Sequence, residues 1–311
     1  MNRTRTFLYQ IRNSPLHLFL IVTSAIMMYP LIYGLFASMV GMEEFYRAGW
    51  MPMPTSLNFI NYISIFDPTV VPMMARSVGV TLFRTLWYAV VSGGSALLAA
   101  YALARLRFRG KEFVFMLLLS STMLPGIVYQ LPIYIMMARF PLLGGNDIMG
   151  QGGSGMINTM PSLLLPGLVA PFIIFLLRQS IYGIPIEYEE AARIDGANFL
   201  QVLWYVYVPF LSPVFVVILI NTFVAQWNDY LWPLMVVGGN PSLLPTGLFF
   251  QRMMAGAIPL KNVQVAVPGG TITNIPLILA IATLATLPTV LLYSFFQRYF
   301  TEGMQGAGLK G

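Results

Sequence analysis

Six apolar stretches, at about residues 17–40, 79–104, 113–137, 160–178, 211–237 and 272–297, decide what this chain can become. Each is long enough to cross about 30 Å of hydrocarbon as a helix. Water-soluble folds do not carry several such runs, and the short alternating segments of a membrane barrel are missing from the pattern. The sequence therefore predicts an all-α polytopic membrane protein with six transmembrane helices. Charged residues supply 9% of the chain against 57% hydrophobic, where globular domains are roughly one-quarter charged. The polar interruptions leave no room for a separate soluble domain. Pro30, Pro125, Pro132, Pro166, Pro171, Pro276 and Pro288 fall inside the stretches; in a bundle, neighbouring groups satisfy the carbonyls that such prolines free.

Basic residues set the orientation. With the N-terminus inside, Arg3, Arg5, Arg12, Arg105, Arg107, Arg109, Lys111, Arg178, Arg193, Arg298 and Lys310 are cytoplasmic. Arg47, Arg76, Arg139, Arg252 and Lys261 are outside, with Arg84 near the outer end of the second span. This is a positive-inside pattern with both termini cytoplasmic. The net charge of +6 thus reports topology rather than a nucleic-acid partner. The apolar run from about Leu16 to Val40 is too long for a signal-peptide core, and no small-residue cleavage site follows it, so it reads as an uncleaved first span. With no cysteine, and His17 as the sole histidine at the start of that span, disulfides, thiolate metal sites and a Cys nucleophile are excluded. Among outer segments, 41–78 predicts short interfacial helices around Trp50, Pro52 and Pro54. The glycine-rich 144–155 predicts a flexible loop, 238–271 a structured loop with short helical pieces, and the tail from Gly303 little helix.

One charged segment interrupts this greasy chain: EYEEAARIDGANFLQVLWYVYVP at 187–209. Pro185 suits the first turn of a helix, and Glu187, Glu189 and Glu190 oppose the positive end of its dipole. Ala191 and Ala192 favour helix and leave a low-relief surface, Gly196 supplies a permissive turn, and a second helical piece starts near Asn198. Residue types alone leave a membrane-surface amphipathic helix as the alternative. The spacing Glu190-Ala191-Ala192, Asp195-Gly196-Ala197 and Pro209 resembles the EAA loop of the membrane-spanning permease subunits of ABC importers. In that family the loop helix seats in a cleft on the ATPase subunit, so the resemblance implies an ATPase-coupling role for Glu190, Ala191, Asp195 and Gly196 and a type I importer permease fold.

Three further stretches resemble the maltose-type carbohydrate branch: AYALARLRFRGKEF (100–113), NTFVAQWNDYLWPL (221–234) and the ending QRYFTEGMQGAGLKG, the last being similar to the tail of the smaller permease subunit. That tail implies an ATPase contact for Gln305, Gly306 and Lys310. Two departures stand out: Arg76-Ser77 where the family commonly has Asn-Ser, and a longer, more glycine-rich insertion at 144–155. The implied organisation is a cytoplasmic N-terminus (1–16), a permease domain (17–298, with the coupling loop at 185–209) and a cytoplasmic tail (299–311). It would sit in a prokaryotic cell membrane beside a second permease, an ATPase dimer and an extracytoplasmic substrate-binding protein, moving a sugar or oligosaccharide.

Polar residues inside spans are costly and usually face a cavity or a partner. Asn221, Gln226, Trp227, Asn228 and Asp229 of the fifth span, with Tyr129, Gln130 and Tyr134 of the third, combine amides with aromatics, the chemistry a sugar needs. They are the candidate substrate pathway, with helix–helix contacts and interfacial anchoring as the alternative. No Gly-x(4)-Gly-Lys-Ser/Thr loop occurs, since Gly110-Lys111 lacks its flanking residues. The chain itself is expected to hold no cofactor, ATP and Mg being bound by the partner ATPase. Competing readings are a permease for glycerol phosphate esters or polyamines, a secondary transporter without proton-relay carboxylates, and an intramembrane enzyme, for which the nucleophile, base and metal inventory is missing.

Overall fold

A computed structural model describes residues 3–47, 52–54, 58–258, 260, 263–267 and 270–308, with side chains outside 3–14, 264, 266–271 and 297–308. Trp50, Lys261 and Lys310 lie outside the described residues. In chain order the elements are α1 (Arg3–Ser38), α2 (Met42–Arg47), α3 (Ile60–Ile65) and α4 (Val71–Arg105). Next come α5 (Lys111–Thr122), α6 (Gly126–Ala138), α7 (Met160–Leu164), α8 (Pro171–Tyr182) and α9 (Glu187–Ile194). The rest are α10 (Phe199–Phe210), α11 (Ser212–Asn228), α12 (Leu231–Val237), α13 (Thr246–Met254), β1 (Gln264–Val267), β2 (Gly270–Thr273) and α14 (Ile275–Gly308).

The all-α membrane class holds, but the spans are not six unbroken rods. Among the described residues three helices are long and apolar enough to cross a bilayer, Pro15–Ser38, Val71–Arg105 and Ile275–Phe296, and five if each bent pair counts as one span. The expected third span bends by 100° between α5 and α6, because Pro125 disfavours helical backbone at Leu124 and opens the next helix as its N-cap. The fourth divides into α7 and α8 around Pro166, Gly167 and Pro171, with Gly167 at φ +85°. The fifth breaks after Asn228, where Asp229 is extended at φ −70°, ψ 113°. Within α4, residues Tyr88–Ser92 form a π-helical turn, a device that concentrates at functional sites.

Two compact units result, one from the segments through Val71 with Arg252–Leu287, the other from Pro72–Gln251 with the chain beyond Pro288. In the first, buried Asn61 donates to the carbonyls of Ser38 and Val40 at 2.9 Å each, tying α3 to the end of α1. The expected short helical pieces at 238–271 include α13, but an antiparallel β1–β2 pair, Gln264 opposite Thr273 through Val267 opposite Gly270, takes the end of the segment. Asn274 then caps α14 by accepting from the Leu277 N–H at 3.1 Å. The tail corrects its expectation too: α14 stays helical to Gly308, continuing the last span beyond its apolar part.

In the second unit, Ala96, Ala100 and Ala104 form a small-residue stripe on α4 that lets the α8 face of Ile174, Leu177 and Ile181 approach closely. The carbonyls freed at the α7–α8 break are answered by α4. Trp87 donates to Leu164 (3.2 Å), Tyr88 to Leu163 (2.8 Å) and Pro166, Ser92 to Gly167 (3.0 Å) and Ser95 to Leu168 (3.1 Å). Irregular backbone at membrane depth is tolerable for this reason. The glycine-rich segment 144–155 is a built turn rather than a flexible loop. Asn146 donates to Ala138 and Phe140 carbonyls and accepts from the Gly153 N–H, while Asp147 accepts from Met149 and Gln151. Gly150 sits at φ +73°, where a Cβ would fall 2.1 Å from the Arg139 carbonyl oxygen.

Candidate functional sites

The 187–209 loop is closed by two interlocking motifs. At the end of α9, the Ala197 N–H bonds Ala192 O (2.9 Å) and the Gly196 N–H bonds Arg193 O (3.1 Å), with Gly196 at φ +84°. This is a Schellman stop that needs a left-handed residue. Asn198 and Gln201 then form a reciprocal capping box, at 3.0 Å and 2.8 Å, that starts α10. Glu190, Ala191, Asp195 and Gly196 all lie exposed on this helix–turn–helix, and Ile194 beside them is 86% exposed.

What fastens the loop to the spans is the preceding residue, Glu189, only 5% exposed. Its carboxylate accepts from Tyr207 (2.5 Å), Tyr101 (2.7 Å) and Arg193 (2.8 and 3.0 Å). Arg105 adds a charge at 4.0 Å and itself donates to the Tyr207 hydroxyl and to the Ile181 and Ile184 carbonyls. Burial pushes the Glu189 carboxyl pKa up, but the hydrogen bonds from Tyr207, Tyr101 and Arg193 outweigh it and leave it below the ordinary value. Sequence reasoning placed Glu189 in the helix's first turn only as a partner of the dipole and gave the coupling role to Glu190. The Glu189–Arg193 spacing of four was a readable signal; the tyrosines, from elements far apart in sequence, were not. Nearby, Arg178 braces α8 by donating to Leu103 O (3.0 Å) and Glu112 (2.6 Å) with its guanidinium 3.7 Å over the Phe115 ring.

A second site lies among the broken spans. A cavity of about 700 Å³ is lined where three interruptions meet: Gly126 at the α5–α6 bend, Pro166 and Gly167 at the α7–α8 break, and Asp229 after α11. Of the candidate pathway residues, Tyr129, Gln130, Asn221, Gln226, Asn228 and Asp229 line it. Tyr134 and Trp227 do not. Tyr134 packs against an apolar cluster with Met137, Met156 and Trp232, and Trp227 is buried, stacked on Phe223 at 5.4 Å; helix packing claims both. Arg84, expected near the outer end of its span, is a buried cavity residue instead, 1% exposed, donating to Asp229 at 2.7 Å. An arginine is tolerable at such a depth only with a partner of this kind. Among the described residues no cluster of three His, Cys, Asp or Glu side chains is placed to hold a metal ion. The backbone of Gln305 and Gly306 is helical, while their side chains and all of Lys310 fall outside the described atoms.

Residues 93–306 match the family described as binding-protein-dependent transport system inner membrane component. The chain is 30% identical to the arabinooligosaccharides transport system permease protein AraQ of Halalkalibacterium halodurans, covering 92% of each. It is also 30% identical to the lactose transport system permease protein LacG of Rhizobium radiobacter, covering 80% of each. A similar fold occurs in the crystal structure of a bacterial ABC transporter involved in import of the acidic polysaccharide alginate, with a TM-score of 0.71 at 21% identity, covering 96% of this chain and 99% of that one. A charged helix–turn–helix loop locked to a bundle of interrupted membrane helices, together with a family match over most of the chain, leads to one assignment: this protein belongs to the inner-membrane permease components of binding-protein-dependent ABC importers, and is a non-catalytic transport subunit.

Proposed function

We propose that this chain forms half of the transmembrane pathway of an ATP-driven sugar or oligosaccharide importer, paired with a second permease. ATP and Mg bind the separate ATPase dimer, and an extracytoplasmic binding protein delivers the solute. The observation that carries the coupling role is the rigid loop: Glu190, Ala191, Asp195 and Gly196 are presented outward on a helix latched inward through Glu189. A push on that surface is transmitted to α4 and α10 through short, charge-assisted bonds rather than absorbed by a floppy linker. The sugars for which the relatives are named support a carbohydrate cargo. In this reading 1–16 and 299–311 are cytoplasmic, 17–298 is the permease domain, and Gln305, Gly306 and Lys310 extend the ATPase contact; the distribution of basic residues supports that orientation.

The test is gentle extraction of the tagged chain from native membranes, followed by identification of what co-purifies. Recovery of an ATPase and a second permease is expected. Recovery of the chain alone, under conditions that preserve other membrane complexes, would overturn the proposal.

A further inference from the structure

Within the cavity, polar groups are left with unmet demands of both signs. Arg84 spends one Nη on Asp229, while its Nε and its other Nη are buried with no hydrogen-bond partner among the described residues. The side-chain carbonyls of Gln130 and Gln226 on the same wall are likewise buried without donors. Buried polar groups are normally satisfied, and each exception calls for an explanation. Tyr88 supplies no hydrogen to either carboxamide, because its hydroxyl hydrogen is directed at the Leu163 and Pro166 carbonyls. Trp232 and Tyr129 add aromatic surface beside these groups.

We infer that this subunit carries its own solute-contacting subsite, built on Arg84, Asp229, Gln130 and Gln226, and that it is matched to uncharged polyhydroxyl chains. The inference rests on the importer reading above and names the chemistry of its cargo. Among the described residues, Arg84 and Asp229 are the only charged ones lining the cavity and they neutralise each other. A uronate or phosphate ester would have to draw Arg84 away from Asp229, stranding a carboxylate, and it brings acceptors but no donors on its charged group for the two carboxamides. A polyamine brings donors and no acceptor for Arg84, and sets a cation beside it. A sugar hydroxyl is donor and acceptor at once. It completes the free guanidinium edge without disturbing the ion pair and supplies hydrogens to Gln130 and Gln226, whichever way each amide is turned. Its C–H face lies against the aromatic wall, the usual division of labour in a pocket with few convergent polar groups.

The chain has no cysteine, so a single Ala225→Cys on the cavity wall reports occupancy. The complex purified from native membranes is treated with a small thiol reagent, and modification of this chain is followed by mass spectrometry. The added solutes are maltotriose, raffinose, trigalacturonate or spermidine. The neutral saccharides are expected to slow modification at least threefold at concentrations where trigalacturonate and spermidine have no effect. Adding Gln226→Leu, which leaves the ion pair in place, is expected to raise the half-protecting concentration about tenfold. The paired change Arg84→Gln with Asp229→Asn, which strands no charge, is expected to abolish the preference for neutral over acidic trisaccharide. Equal protection by trigalacturonate, protection by none of the solutes, or protection unchanged in both variants would overturn the inference. Absence of an ATPase from the purified complex would instead overturn the importer reading, and it is scored separately in the same preparation.

Discussion

Replacing Glu189 by alanine removes the one acceptor shared by Tyr101, Tyr207 and Arg193. Both tyrosine rings are fully buried. Their oxygens still accept from Arg193 and Arg105, but their hydroxyl hydrogens lose their acceptor. Hydrogen bonds to a charged group contribute about 1.5–3 kcal/mol each but do not add, and breaking a buried pair from one side costs about 3–5 kcal/mol. Taking about 3 kcal/mol for the latch, opening of α9 from the spans becomes roughly a hundredfold more frequent. Hydrogen exchange of the intact complex reads this directly, as a comparable loss of protection over the amides of Glu187–Ile194. Glu190→Ala, one residue away but exposed, is expected to change protection by no more than about twofold, as surface substitutions generally do. Equal protection in Glu189→Ala and the wild-type chain, or an equal loss in Glu190→Ala, would refute the assignment of Glu189 as the latch.

The same carboxylate sets a pH signature. Its folded pKa lies below the ordinary 4.5, so the stabilisation is fully present above about pH 4.5 and is lost as pH falls through the lower folded value; corrected exchange rates over α9 should be flat from pH 8 to 5 and rise below that, and Glu189→Gln should flatten the rise. Gly196 has nothing within 4 Å of an added Cβ but sits at φ +84°. Gly196→Ala is therefore expected to cost only about 1 kcal/mol and keep most transport, while Gly196→Pro, which cannot reach that φ and loses the N–H bonded to Arg193, should insert normally yet hydrolyse ATP without uptake in vesicles. Gly150→Ala drives a Cβ onto the Arg139 carbonyl, so proteolysis of the outer turn should accelerate while coupling-loop exchange stays unchanged.

Long apolar runs carry their own evidence, which is why α1, α4 and α14 were legible as spans. Prolines announced the breaks at 125 and 166 as tolerated kinks, but not that the interruptions converge on one cavity, because convergence depends on packing across the bundle. Glycine was the least reliable sign. In 144–155 it suggested looseness, whereas Gly150 meets a steric demand and Asn146 and Asp147 organise the turn. At Gly196 a Schellman stop was readable because the helix before it and the cap after it both point to the same turn. Arg84 shows the limit: its partner Asp229 lies 145 residues away, and a basic residue near a predicted span end looks like a loop anchor until the fold brings that partner to it. The β1–β2 hairpin is local, but each strand is only four residues long, too short to carry a periodic signature of its own.

In the proposed importer the 187–197 surface faces the cytoplasm and presses on an ATPase. The absence of cysteine makes a direct test practicable, with Ala191→Cys on that surface and Ile148→Cys on the exposed outer turn cross-linked in native membranes and the adducts identified by mass spectrometry. An ATPase adduct is expected from Ala191→Cys, sealed from external impermeant thiol reagents, and none from Ile148→Cys, which those reagents reach. External labelling of Ala191→Cys, or a cross-linked product without an ATPase, would contradict it.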